Sequence, residues 1–195
     1  MAVENLDELM GVVQCFYHLE DRPVRNLLVM GGGGGLGAQA ADLAEESGLS
    51  LPPLSPETEA RLREFFPDVG AVVANPLDVG IPLPPPPLFK LALDHLLVDP
   101  AFDLLIYDLA INFGVRLFGE EGVREAFRYL VSACRKMGKP CAVNLYNRAP
   151  DSLEITRLHL EVKEMLYEAG IPVYDNMALL MRSLAALSRW QQARG

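Results

Sequence analysis

Short apolar runs alternate with longer stretches of helical period along this chain. Residues 4–19 carry Leu6, Leu9, Val13, Phe16 and Tyr17 near a 3.6-residue repeat and predict an amphipathic helix that ends at Arg22-Pro23. Residues 26–30 form an apolar run of strand length. A glycine run follows, then a helical pattern to about Ser47 with Gly48 as its stop. Residues 49–54 read as a short second strand. Ser55-Pro56-Glu57-Thr58 is a helix start, with Ser55 as N-cap and acids behind it, and the helix runs to about Phe66. Residues 71–74 read as a short extended piece leading into Asn75-Pro76-Leu77-Asp78-Val79. Residues 81–88 hold four consecutive prolines, Pro84 to Pro87, and predict a stiff surface excursion before a helix over about 89–98.

Residues 103–109 are nearly all apolar, as a central parallel strand requires. A long helix over 119–137, a strand over 140–145, a helix over 152–169, a strand over 171–174 and a closing helix over 176–194 complete the pattern. Strands and helices thus alternate about five times, which predicts an α/β fold with a doubly wound parallel sheet. Five strands favour the flavodoxin-like order 2-1-3-4-5, with an extra N-terminal helix over 1–22 and the α/β core over 26–195. In such sheets ligands sit at the carboxyl ends of the strands. The site is therefore expected at the glycine run, the turn after Leu109 and the turn after Leu145.

A length of 195 residues fits one domain over 1–195, and 50% hydrophobic with 22% charged residues is globular rather than disordered. The net charge of −9 argues against non-specific nucleic-acid binding. It leaves phosphorylated ligands open, because backbone amides bind anions without side-chain charge. Cys15, Cys134 and Cys141 are odd in number and have no metal or redox spacing, so they read as small core residues of a reduced, cytoplasmic protein. No apolar run reaches the ~18 residues of a membrane span, and residues 1–20 lack signal-peptide character.

The strongest candidate chemistry is the run Gly31 to Gly35 between a buried strand and a helix N-terminus, where backbone amides and the helix dipole favour an anion. The same glycines also serve a tight turn and close helix–sheet packing. Gly32-x-Gly34-x-x-Gly37 satisfies a dinucleotide fingerprint in form, but no acid ends the second strand. A nucleotide P-loop lacks its Lys-Ser or Lys-Thr, a receiver domain lacks its acids, and a flavin phosphate loop lacks Ser or Thr.

Elsewhere, Asp78 reads as turn chemistry or as a residue near the phosphate. Asp108 and Asn112 flank the end of strand three, and Asp108 among apolar neighbours is the candidate for a shifted pKa. Asn144, Asn147 and Arg148 end strand four, with Arg148 either solvated or an anion contact. His18, His95 and His159 read as helix-surface or half-buried histidines, and Trp190 as packing.

Taken in order, these segments resemble the succinyl-CoA synthetase-like family, specifically its NDP-forming acyl-CoA synthetases of the ADP-forming acetate–CoA ligase type. The resemblance rests on Leu27-Leu-Val-Met-Gly-Gly-Gly-Gly-Gly-Leu-Gly-Ala-Gln-Ala-Ala-Asp42, Gly48-Leu49, Leu54-Ser55-Pro-Glu-Thr58 and Leu62-Arg63. It continues through Asn75-Pro76-Leu77-Asp78-Val79, Leu97-Val-Asp99-Pro100-Ala-Phe-Asp103 and Gly170-Ile-Pro-Val-Tyr174, ending in a helix with Leu184-Ala-Ala-Leu187. It covers nearly the whole chain from about Val3. Gly32 stands where the family often has asparagine, and Leu36 where it often has proline.

The resemblance implies the flavodoxin-like ligase domain of an enzyme that joins an acid to CoA with nucleotide cleavage. It implies that Gly33, Gly34, Gly35, Leu36 and Gly37 line the site of a phosphohistidine presented by another domain, with Asn75, Asp78, Asp108 and Asn112 as further lining. CoA, ATP/ADP or GTP/GDP and Mg would act on partner domains, a CoA-binding phosphohistidine domain and a nucleotide-grasp domain, in the same longer chain or a separate subunit. No tightly bound cofactor, metal, nucleic acid or membrane partner is expected of this chain, and homo-oligomerisation stays open. None of the three histidines lies in the expected Gly-His loop, so no catalytic residue and no ligation by the chain alone are expected. Two alternatives stay open. One is a catalytically inactive interaction or regulatory module, to which the Gly32 and Leu36 departures point. The other is a stand-alone flavodoxin-like nucleotide binder.

Overall fold

The computed structural model describes residues 3–31, 33–66, 70–79 and 86–194. Among these residues four parallel strands carry the architecture: β1 (Leu27–Gly31), β2 (Leu104–Ala110), β3 (Cys141–Tyr146) and β4 (Val173–Tyr174). They lie side by side in the order β1-β2-β3-β4. Among the described residues seven helices connect and flank them: α1 (Leu6–Leu19), α2 (Gly34–Ser47), α3 (Pro56–Arg63), α4 (Pro86–Leu96), α5 (Ile111–Met137), α6 (Leu153–Glu168) and α7 (Met177–Gln192). The parallel register pairs Val29 with Ile106, Gly31 with Asp108, and Asp108 with Asn144.

Because side chains alternate across a strand, each strand feeds two cores. Leu28, Met30, Leu105, Tyr107, Cys141 and Val143 face one core with α3, α4, α5 and α6, represented by Leu62, Leu93, Phe127 and Val162. Leu27, Val29, Leu104, Ile106 and Ala142 face the other, with α1, α2 and α7, represented by Cys15, Ala44 and Leu184. β1 and β2 are buried along their whole length, which explains their near-continuous apolar sequence. All three cysteines are free and buried. Among the described residues no helix is long and apolar enough to cross a membrane.

The expected second strand is not a strand. Only Ser50 bridges β1, taking the Leu27 amide on its carbonyl at 2.7 Å and donating to Arg25 O at 2.9 Å. Pro52 and Pro53 then remove two successive amide donors, so the ladder cannot continue. The Asn75 side chain takes over the same edge. Its Oδ1 accepts from Val29 N at 3.1 Å, and its Nδ2 donates to Leu27 O at 2.7 Å and Pro52 O at 2.8 Å. Leu77 extends the edge, its carbonyl accepting from Gly31 N and its amide donating to Val29 O. The outer edge of β1 is therefore satisfied piecewise rather than by a fifth strand, and the five-strand order 2-1-3-4-5 is not realised among the described residues.

Other boundaries shift for local reasons. The helix expected from Phe89 begins at Pro86, because proline at a first helical turn lacks only an amide that has no intrahelical partner. Pro84 and Pro85 lie outside the described residues. No turn follows Leu109. α5 begins at Ile111, eight residues before the expected Gly119, and Gly119, with φ 70° and ψ 174°, breaks it into two pieces. α3 ends at Arg63 rather than near Phe66, and β4 keeps only Val173 and Tyr174, since Pro172 cannot donate to a ladder. Asn5 and Ser55 cap their helices as side-chain acceptors, Ser55 from the Thr58 amide as the sequence implies.

Candidate functional site

The carboxyl edge of the sheet gathers the end of β1, the N-terminus of α2, the ends of β2 and β3, and the N-terminus of α7. Gly31 ends β1 at φ 99°, and any Cβ there would collide with the Asp108 carbonyl. Gly33, at φ 79° and ψ 167°, is the N-cap of α2 and supplies no side chain to it. The first intrahelical bonds run from Leu36 N (3.1 Å) and Gly37 N (2.9 Å) to Gly33 O. The amides of Gly34 and Gly35 precede them and have no intrahelical carbonyl to meet.

The glycines divide their labour. A Cβ on Gly37 would press on Pro76 at 3.3 Å, so Gly37 lets α2 approach the 75–79 loop. A Cβ on Gly34 would lie 3.3 Å from Asp78 Oδ2, which places that carboxylate beside the helix end. A Cβ on Gly35 would meet open space, and the first turn of α2 holds no acidic side chain. Gly34 and Gly35 are exposed, Leu36 is half-buried and Gly37 is buried. Gly32 lies outside the described residues.

Asp108 and Asn144, neighbours on β2 and β3, form the floor beside this loop. Asn144 Nδ2 donates to Asp108 Oδ1 at 2.6 Å. Burial pushes the Asp108 carboxyl up to about 6, against the lowering effect of the Asn144 hydrogen bond and the Arg148 charge. Arg148 stacks over the Tyr146 ring at 5.1 Å, and its backbone amide donates to Asn112 Oδ1 at 3.2 Å. Asn112 therefore sets the loop that carries Arg148. The side chain of Asn75 is engaged on the edge of β1.

An open pocket of about 200 Å³ lies over this floor, lined among the described residues by Leu36, Asp108, Asn144, Arg148, Asn176 and Met177, with others. Asn176 caps α7 through hydrogen bonds from Ala178 N and Leu179 N. Asp175 lies at the rim, its carboxyl held below the usual range by His159 and Lys163. The structure thus brings Leu36 and Asp108 together, with Asn112 behind Arg148, and sets Asp78 beside Gly34.

The pairing of Asn144 with Asp108 and the contribution of the α7 N-terminus are not apparent from sequence period alone. The available signals were a lone Asn in the apolar run Cys141–Tyr146 and an Asn directly before an apolar helix. The three histidines stand apart from the glycine loop. His18 packs between Tyr17 and Tyr167, His95 stacks on Phe65, and His159 Nε2 lies 3.0 Å from Leu145 O. Among the described residues no group of three His, Cys, Asp or Glu side chains could hold a metal ion.

No family model matches the chain. A curated relative, trans-feruloyl-CoA synthase FCS1 from an unknown prokaryotic organism, is 32% identical over 97 residues, which is 49% of this chain and 14% of that protein. Among solved structures, PH0766 from Pyrococcus horikoshii OT3 superposes with a TM-score of 0.80 at 24% identity, covering 99% of this chain and 41% of that one. A dinucleotide forming acetyl-coenzyme A synthetase 1 from Ca. Korarchaeum cryptofilum in its apo form superposes at 0.73 with 21% identity, covering 98% and 39%. This chain resembles acyl-CoA synthetases in both sequence and fold. The same synthetase in complex with phosphate and ADP gives 0.72 at 21% identity, covering 98% and 38%. The chain thus spans about two fifths of each of these solved neighbours and matches about a seventh of the curated relative.

Proposed function

We propose that this chain is a domain or small subunit of an NDP-forming acyl-CoA synthetase, an acid–thiol ligase. Its glycine loop and α2 N-terminus stabilise a phosphohistidine presented by a partner domain. The observation that carries this reading is the end of α2 itself. Gly33 caps the helix without a side chain, the first turn has no acid, and the position of a Gly35 side chain is empty space. Orphan amides and a helix dipole can then meet a phosphoryl group without a side-chain cation. The role is electrostatic stabilisation of the transferring group; the nucleophile and the CoA and nucleotide sites, with their Mg, belong to partner domains. The chain, as a single domain over 1–195, would not ligate alone.

Asp78 favours a second reading. Its carboxylate lies beside Gly34, where it can complement the helix end in place of a phosphate. An inactive interaction or regulatory module with the same fold would use it so.

Reconstitution separates the two. The chain is added to a histidine-phosphorylated partner domain, or to a synthetase lacking this region, and acid- and CoA-dependent NDP formation is assayed. Activity restored by the parent chain and lost in the Gly34→Ala, Gly35→Ala double variant supports the ligase role. Binding of the partner without activity supports the module. No activity and no binding with an authentic partner sinks the ligase reading.

A further inference from the structure

α1 is apolar on two faces. Cys15 and Leu19 enter the core it shares with α2 and α7, while Leu6, Leu9, Met10, Val13 and Tyr17 stay exposed. The exposed set recurs at i, i+3, i+4, i+7 and i+11, which makes it a second stripe along the helix and not scattered surface residues. Met10 is 58%, Val13 50% and Tyr17 77% exposed, so nothing among the described residues covers the stripe.

Met10, Val13 and Tyr17 form one wall of an open groove of about 640 Å³. Tyr167 of α6 stands on the other wall, and Val173 of β4 lies between them. β4 is the last strand of the sheet, and its outward amide is already taken, since Val173 N donates to Gln14 Oε1 at 3.2 Å. With two residues and that donor filled, the edge offers no ladder to an added strand. An occupant is held by its side chains, in the manner of a helix laid in a groove.

Charge narrows the occupant further. Lys163 and Arg182 are the cations along the groove and its continuation past Asp7, and both are paired, Lys163 with Asp175 at 2.8 Å and Arg182 with Glu8 at 3.7 Å. Asp7, Glu164 and Glu168 have no ion-pair partner among the described residues. The groove thus presents an apolar strip beside three unpaired carboxylates. A second copy would bring the same acids, on a chain of net charge −9. Nucleic acid and anionic lipid carry the same sign as the rim. A segment with lysine or arginine beside its apolar positions complements both the strip and the rim.

We propose that the groove between α1 and α6 docks a basic amphipathic helix of a protein partner, its apolar stripe on Met10, Val13, Tyr17 and Tyr167 and its flanking cations against Asp7, Glu164 and Glu168. This surface goes beyond the phosphohistidine reading and does not rest on it. The glycine loop ends β1, at the opposite edge of the sheet from β4.

The test is fluorescence anisotropy of the full chain with labelled synthetic peptides of about four helical turns. One carries leucine at i, i+3, i+4 and i+7 spacing with lysine elsewhere. The second has the same composition with leucine at every other position, and the third replaces lysine by glutamate. The first is expected to bind at least about tenfold more tightly than either of the others, the order that a few rim charge pairs and a matched apolar stripe supply. Glu164→Lys combined with Glu168→Lys, at exposed positions where folding is not at stake, should reverse the preference between the lysine and glutamate peptides. Val13→Gln combined with Tyr17→Gln should weaken the lysine peptide about tenfold by removing apolar contact area. Equal affinity for the two lysine peptides, no binding at about 0.1 mM, or a charge-reversed variant that binds like the parent overturns the proposal. So does a dimer in sedimentation that Val13→Gln, Tyr17→Gln dissolves, which assigns the groove to a second copy, or capture by anionic phosphatidylserine vesicles that the same variant loses, which assigns it to a membrane. These readouts need no synthetase partner. Their failure leaves the phosphohistidine contact to be judged by reconstitution, and a failed reconstitution leaves helix docking intact.

Discussion

Asp108 sits where a charge is least welcome, on a central strand at 2% exposure. Its folded pKa of about 6, against an ordinary 3.8, means that the folded state prefers the neutral acid. The contribution of that neutral form to stability is complete below about pH 3.8 and is lost as pH rises through about 6. The loss at neutral pH is about 3 kcal/mol, at 1.36 kcal/mol per pKa unit. Asp108→Asn keeps an acceptor for Asn144 Nδ2 and carries a second donor that can serve the unpaired Asn144 Oδ1. We expect the variant to match the parent in urea denaturation at pH 4 and to exceed it by up to ~3 kcal/mol at pH 7.5. A constant difference across that range would show that the Asp108 carboxyl is not shifted by folding. Asn75 makes the opposite case, a polar side chain that works as backbone. Asn75→Ala removes three hydrogen bonds from the edge of β1 and should cost about 3 kcal/mol, with faster hydrogen exchange at the Val29 amide.

At the scale of elements, α2 separates stability from function at neighbouring glycines. Gly35 is helical and faces open space, so Gly35→Ala should raise stability by up to ~1 kcal/mol, since glycine is the costlier residue inside a helix. The same methyl intrudes on the amides that would face a phosphoryl group, and activity in the reconstituted synthetase should fall. A thermal melt that rises while turnover drops is the expected pair of results. A variant destabilised in parallel with its activity would mean only a damaged helix. The strand–glycine–helix unit was legible in sequence because an apolar run, a glycine run and a helical period follow one another without interruption. The second strand misled for a definable reason. Leu49 to Leu54 has the length and hydropathy of a strand, but Pro52 and Pro53 remove its donors, and the replacement donors come from Asn75, twenty-odd residues away. Asp108 was legible as an acid among apolar neighbours. Its partner Asn144 was not, because register across a parallel sheet is set by tertiary packing and not by either strand's own pattern.

At the scale of the molecule, the two cores share one set of strands. Leu28 and Met30 face the α4–α5 side, and Leu27 and Val29 face the α1–α7 side of the same five-residue strand. Neither side can come apart without exposing the reverse face of that strand, so both should unfold together. The chain offers a direct readout. Trp190 is its single tryptophan and packs edge-on against Phe16 at 5.3 Å, in the α1–α7 layer. Leu93 lies fully buried in α4 on the opposite side of the sheet. Leu93→Ala should cost about 2–5 kcal/mol through lost transfer energy and a cavity. If the cores are coupled, the Trp190 fluorescence midpoint in denaturant must fall by the same amount as the far-UV circular dichroism midpoint, although Leu93 touches nothing in the tryptophan's layer. A fluorescence transition that stays in place while the dichroism transition moves would show two units on one sheet. The carboxyl-edge site, built from the ends of β1, β2 and β3 with α2 and α7 against them, would then depend on which unit had lost its order. Coincident transitions would mean that the glycine loop, Asp108 and Arg148 keep their spacing for as long as the protein is folded at all.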